Sequence, residues 1–135
     1  MNQIVKKYTD CFKKFDEESI KKILKYVDKN IIFIDPFNKI KGKRNLEILL
    51  KDFLTKFNDI NFSIFNITND GIYYFVKWKL DLKFKNKKIS FFGMSELILK
   101  NNYIYSHTDY WDSGRNFYTN IPILGRIFKK IHKNS

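Results

Sequence analysis

The chain has 135 residues, 44% of them hydrophobic and 18% aromatic, which fits one globular domain with a full core and excludes a disordered polymer. A single cysteine, Cys11, excludes an internal disulfide and fits a reducing compartment. The net charge of +12 raises nucleic acid as a partner, but the cations are nearly all lysine, with Arg44, Arg115 and Arg126 the exceptions, and they are scattered along the sequence. Phosphate and base reading favour arginine, so solvated lysine faces are the preferred reading and nucleic acid is not an expected partner.

No apolar run approaches the ~20 residues of a membrane span. Met1 to Asp10 also lacks the apolar stretch of a signal peptide, and a cytoplasmic location is expected. Ile4, Tyr8, Cys11, Phe12 and Phe15 recur at helical spacing, as do Ile20, Ile23, Leu24 and Val27 after the acidic Asp16-Glu-Glu-Ser, so two helices are predicted. Tyr8 falls on the buried stripe. Asn30 to Phe37 reads as a strand ended by Pro36, which leaves Asp35 at the strand end. A short polar loop to Gly42 follows. Lys43 to Phe57 is the clearest helix, with Leu46, Leu49, Leu50, Phe53, Leu54 and Phe57 on one stripe.

From Asp59 the period becomes two. Ile60, Phe62 and Ile64 alternate with polar residues, and Asn69-Asp-Gly71 marks a turn. A long strand from Ile72 to Phe84 puts Val76, Trp78, Leu80 and Leu82 on one side and Lys77, Lys79, Asp81 and Lys83 on the other. Ile89 to Leu99 puts Phe91, Gly93, Ser95 and Leu97 on one face. In the last run, Tyr105 to Asp112, His107, Asp109 and Trp111 share a side. A dry core would pay heavily for an unpaired Asp109 and His107, so a polar-floored pocket is expected there. His107 and Asp109 have no third and fourth ligand at recognisable spacing, and no metal or other cofactor is expected. The order of elements argues an α+β fold, with a curved antiparallel sheet wrapped over the helices around a conical cavity.

Asp35-Pro36-Phe37 closing the first strand, Gly42 opening the next helix, and an aromatic last strand ending in Tyr110-Trp111 carry a resemblance. The chain, to about Gly114, resembles the α+β cone family of ketosteroid isomerase, SnoaL-like polyketide cyclases and nuclear transport factor 2. The resemblance implies a conical pocket that takes a small apolar or carbonyl-containing molecule, and a homodimer. It also implies Asp35 as the general base that moves a proton beside a carbonyl, and Tyr8 as a donor to the developing oxyanion. Trp111 matches an aromatic pocket wall, with His107 and Asp109 its polar neighbours. Phe37, Trp78, Phe91 and Ser95 complete the expected ligand site. In the isomerases the second oxyanion donor is a protonated Asp; Ser95 stands near that place here. Two functions follow from such a site: a cofactor-independent isomerase or cyclase type of proton transfer, or a non-catalytic ligand-binding or dimeric module on the same scaffold.

The domain is therefore expected to span 1–114, with 115–135 a basic amphipathic tail. Phe117, Ile121, Leu124, Ile127, Phe128 and Ile131 have roughly helical spacing, while Arg126, Lys129, Lys130 and Lys133 add charge. Packing of this tail on the domain is preferred over contact with an anionic membrane surface.

Overall fold

The computed structural model describes residues 2–112. The predicted boundary at residue 114 and the tail 115–135 lie outside the described residues. Helix α1 (Gln3–Asp10) begins where Asn2 offers its side-chain oxygen to the N–H groups of Ile4 and Val5, at 2.7 and 3.2 Å. Those donors have no partner within the helix, so the cap sets its start. Helix α2 (Glu17–Tyr26) starts on a reciprocal cap. The Ser19 N–H donates to Asp16 Oδ1 and the Asp16 N–H to Ser19 Oγ, both at 2.8 Å.

The apolar stripe of α2 predicts a helix through Val27. In the structure Val27 is already extended (φ −97°, ψ 149°) and opens strand β1 (Val27–Ile34). A buried β-branched residue satisfies either pattern, so periodicity alone placed this boundary too late. The expected loop before Gly42 holds a second difference. Lys39–Lys41 is a short strand, β2, antiparallel to β1, with Ile34 opposite Lys39 and Ile32 opposite Lys41. Three residues with one buried Ile40 between exposed lysines are too few to show a period. Gly42 then takes φ +97°, which favours glycine, and sends its N–H to the Ile31 carbonyl at 2.8 Å. Helix α3 (Lys43–Lys56) follows and buries Leu46, Leu49 and Leu50.

Four long strands follow among the described residues: β3 (Asn58–Asn69), β4 (Tyr73–Phe84), β5 (Lys87–Lys100) and β6 (Tyr103–Tyr110). Lys85-Asn86 and Asn101-Asn102 turn with both residues at positive φ, the geometry that matches the twist of flanking strands. The sheet order is β2-β1-β6-β5-β4-β3. The last four strands form the expected antiparallel meander, whereas β1 lies parallel to β6, with Phe33 opposite His107. That pairing brings Asp35, just beyond β1, alongside the end of β6.

The expected alternation along β4 holds: Val76, Trp78, Leu80 and Leu82 are buried, and Lys77 is exposed. The buried face packs with Val5 and Tyr8 of α1, Ile20 and Ile23 of α2 and Leu46 of α3 in one core. Burying each large aliphatic side chain is worth about 1.5–3 kcal/mol, which fixes the helices on this side of the sheet. The opposite face carries exposed Phe92, Met94 and Tyr110. Among the described residues no helix is long and apolar enough to cross a membrane.

Candidate functional site

The turn between β1 and β2 is built on Asp35. The backbone N–H groups of Phe37 and Asn38 both donate to Asp35 Oδ1 at 2.8 Å, and Asn38 Nδ2 adds a bond at 3.2 Å. Asp before Pro is well suited to this turn, since its side chain replaces a backbone acceptor two residues on. Among the described residues, Oδ2 has only a long contact, 3.4 Å, from Asn38 Nδ2. Burial pushes the Asp35 carboxyl up to about 6; the Phe37 N–H opposes this, and the charge of Asp109 adds to it.

A hydrogen-bonded chain runs beneath the sheet face. Trp78 Nε1 donates to Ser95 Oγ at 2.8 Å, and Ser95 Oγ donates to Asp109 Oδ1. His107 Nε2 lies 2.7 Å from the same carboxylate oxygen, and His107 Nδ1 lies 2.6 Å from the Tyr8 hydroxyl. An indole can only donate, so Ser95 must pass its own proton toward Asp109. With the imidazole protonated at Nε2, Tyr8 donates to Nδ1 and every group in the chain has a partner. Burial, and then the charge of Asp109, raise the Tyr8 hydroxyl well above its ordinary value, which keeps it a donor.

Beside this chain lies a cavity of about 80 Å³. Phe12 and Phe15 enter it from the end of α1 and the link to α2, Phe33 from β1, and Leu49, Leu50 and Phe53 from α3. The sheet supplies Phe62, Trp78, Leu80 and Phe91, with Trp111 just past β6. Asp35 and Asp109 are the polar residues of its wall. A smaller cavity of about 40 Å³, lined by Tyr8, Ser95, His107 and Asp109 among others, adjoins α1. Gly93 lets the two strands hold Trp78 in place: a Cβ there would lie 2.2 Å from the indole ring.

The structure brings Asp35, Asp109, Trp78, Phe91 and Trp111 around one cavity. Tyr8, His107 and Ser95 join the same cluster through hydrogen bonds but line the smaller cavity. Phe37 does not line the larger one; its ring stands edge-on to Trp111, 5.6 Å between centroids, and backs that wall. Sequence reasoning missed Asn38, whose buried amide holds Asp35. The Asp-Pro-Phe-Asn turn pattern was the signal that points to it. The walls from Phe12, Phe15 and Phe53 had no local signal, because their helical stripes read simply as core.

Three helices against a curved sheet, with an acid at the end of the first strand facing an aromatic cavity, define the α+β cone class of protein. Neither a protein-family model nor a curated protein sequence matches the chain. Solved structures do. A protein with a ketosteroid isomerase-like fold from Catenulispora acidiphila, solved in complex with trimethylamine, aligns at TM-score 0.72 and 10% identity, covering 82% of this chain and 85% of that one. An LEH-like epoxide hydrolase of M. tuberculosis aligns at TM-score 0.72 and 15% identity, covering 93% and 86%. An NTF2-like protein of unknown function from Exiguobacterium sp. 255-15 aligns at 0.72 and 16%, covering 82% and 98%. The chain has the nuclear transport factor 2-like fold.

Proposed function

We propose that the chain binds a small molecule in the aromatic cavity and moves a proton on it, with Asp35 as general base. The observation that carries this reading is the asymmetry of the Asp35 carboxyl. One oxygen is anchored by two backbone N–H groups, the other is nearly free, and an apolar wall raises its basicity to about 6. A base of that strength stays ionised at neutral pH yet accepts a proton more readily than an exposed carboxylate. In this reading Asp109, held by His107 and Ser95, is the second polar group at the substrate, and Tyr8 fixes the imidazole that holds it. A small ligand is in keeping with the trimethylamine bound to one structural neighbour.

Deuterium exchange at carbons next to the carbonyl of small ketones, followed by proton NMR in heavy water, tests the reading. The wild type should accelerate exchange, and Asp35→Asn should lose about 10²–10⁴ of that acceleration. Full exchange by the variant overturns the role of Asp35.

A second reading, a non-catalytic dimeric module, has one observation of its own. The outer sheet face exposes Phe65 and Phe92, 5.8 Å apart, together with Met94 and Tyr110. A second copy of the chain is the occupant this reading assigns to that face. Sedimentation equilibrium of wild type and Phe92→Glu checks it; a wild-type monomer removes it.

A further inference from the structure

We propose that the aromatic cavity takes a small organic cation, an alkylated ammonium with on the order of five heavy atoms, in preference to a neutral or anionic ligand of the same shape. The inference rests on that cavity being the ligand site and does not depend on whether Asp35 turns over a proton.

The wall chemistry carries it. Eight of the thirteen lining residues are aromatic, three are leucines and the remaining two are Asp35 and Asp109. Among the described residues no lysine, arginine or histidine reaches this wall. The chain carries 26 basic residues, so their absence from the lining is a local feature. Each carboxylate is tied down by the protein through one oxygen. Asp35 Oδ1 accepts from Phe37 and Asn38, and Asp109 Oδ1 accepts from Ser95 and His107. Among the described residues, the second oxygen of each takes at most the 3.4 Å contact to Asp35. An anionic ligand would add a third negative group to this space, and a neutral one would leave the repulsion between the two acids in place. A cation between them relieves it, and also holds Asp35 ionised.

The rings suit the same ligand. Trp78 stands at 79° to Phe62 and 70° to Phe91, and Phe91 meets Trp111 at 5.1 Å between centroids. Trp78 crosses both of its neighbours steeply while Phe91 and Trp111 are tilted by 38°, and ring faces attract a cation within about 6 Å, indole most strongly. An inorganic ion would need about six oxygen ligands, which two carboxylates among apolar rings do not offer. A primary ammonium would need three acceptors in fixed directions. An alkylated nitrogen spreads its charge over methyl groups that match both the rings and the leucines. Size limits the ligand: this cavity of about 80 Å³ is about half of one of about 150 Å³ that holds benzene, so only the smallest alkylated ammonium ions are candidates.

Trp78 and Trp111 are the two tryptophans of the chain and both line the cavity, so their indole N–H resonances report on it. The full chain is titrated at pH 7.5 and constant ionic strength with three probes of similar shape: tetramethylammonium, tert-butanol and trimethylacetate. Saturable shifts of both indoles are expected with tetramethylammonium, at a Kd about tenfold or more below that of tert-butanol, with trimethylacetate weakest. Asp109→Asn should weaken the cation about tenfold and leave tert-butanol unchanged, which also shows that the variant's cavity is intact. Equal or tighter binding of tert-butanol or trimethylacetate overturns the proposal while the ligand-site reading stands. Equal loss of cation and alcohol in Asp109→Asn overturns it as well. Indoles unmoved by all three probes overturn both.

Discussion

Replacing Asp35 by Asn should make the protein more stable at neutral pH while removing its proposed chemistry. The carboxyl is raised from 3.8 to about 6, chiefly by burial, so the folded chain holds this proton more tightly than the unfolded chain does. Ionised Asp35 therefore costs stability above pH 6, the cost shrinks as pH falls from about 6 toward 4, and it is absent below 3.8. The interval corresponds to about 3 kcal/mol, and it already contains the opposing effect of the Phe37 and Asn38 N–H groups. A neutral amide keeps an acceptor for those two donors. Its NH2 would face the Asn38 NH2, but Asn38 Oδ1 is buried without a partner, so a flip of that amide provides one. A gain of about 2 kcal/mol at pH 7.5, somewhat below the full interval, is the expected outcome. Urea denaturation of both proteins at pH 7.5, 6 and 4.5 measures it. The difference between them cancels the other titrating groups, since only residue 35 changes. A variant that is less stable at pH 7.5, or a difference that does not shrink toward pH 4.5, would refute the argument.

Tyr8→Phe removes the hydroxyl from His107 Nδ1 and strands a buried ring nitrogen. A loss of about 1–3 kcal/mol in denaturant unfolding is expected, and unchanged stability would mean that the bond contributes little. In the wild type, ultraviolet titration should show Tyr8 resisting ionisation until the chain unfolds, because burial and Asp109 both hold its proton on. Gly93→Ala puts a methyl group into the Trp78 ring, whose N–H is anchored on Ser95. The indole must shift, at a cost of about 1–3 kcal/mol, and the Trp78 resonance should move more than that of Trp111. Asn2→Ala removes the cap of α1, with a loss of about 1 kcal/mol; hydrogen exchange of the Ile4 and Val5 amides should rise with it.

The architecture was legible wherever a period ran long enough. Fourteen residues of α3 and the long strands β4 and β5 declare themselves, because one stripe or one alternating face is buried along their whole length. The failures are short. Lys39–Lys41 has one buried side chain, and nothing in three residues distinguishes a strand from a loop. Val27 suits a helix stripe and a strand equally, and only the pairing of Val27 with Ile104 of β6 decides between them. The parallel contact of β1 with β6 joins segments some 70 residues apart, and local pattern carries no information about such a partner.

The site divides along the same line, and the division explains which of its groups can do chemistry. Asp35 was legible because its turn is local: Asp-Pro-Phe-Asn writes both the accepting carboxylate and its donors within four residues. His107, Asp109 and Trp111 were legible as one face of a strand. What alternation could not give was their division of labour. Period two predicts three equivalent positions, yet His107 is 5% exposed and bonded on both ring nitrogens, while Asp109 and Trp111 reach the larger cavity. The β5–β6 register shift between Ile98 and Leu99 lies upstream of all three and leaves them on one face, so the division comes from their hydrogen-bond partners. His107 is thus spent inside the wall, holding Asp109 against Tyr8. The two polar groups left facing the cavity are both acids, and among the described residues no basic residue lines the wall of rings around their carboxylates.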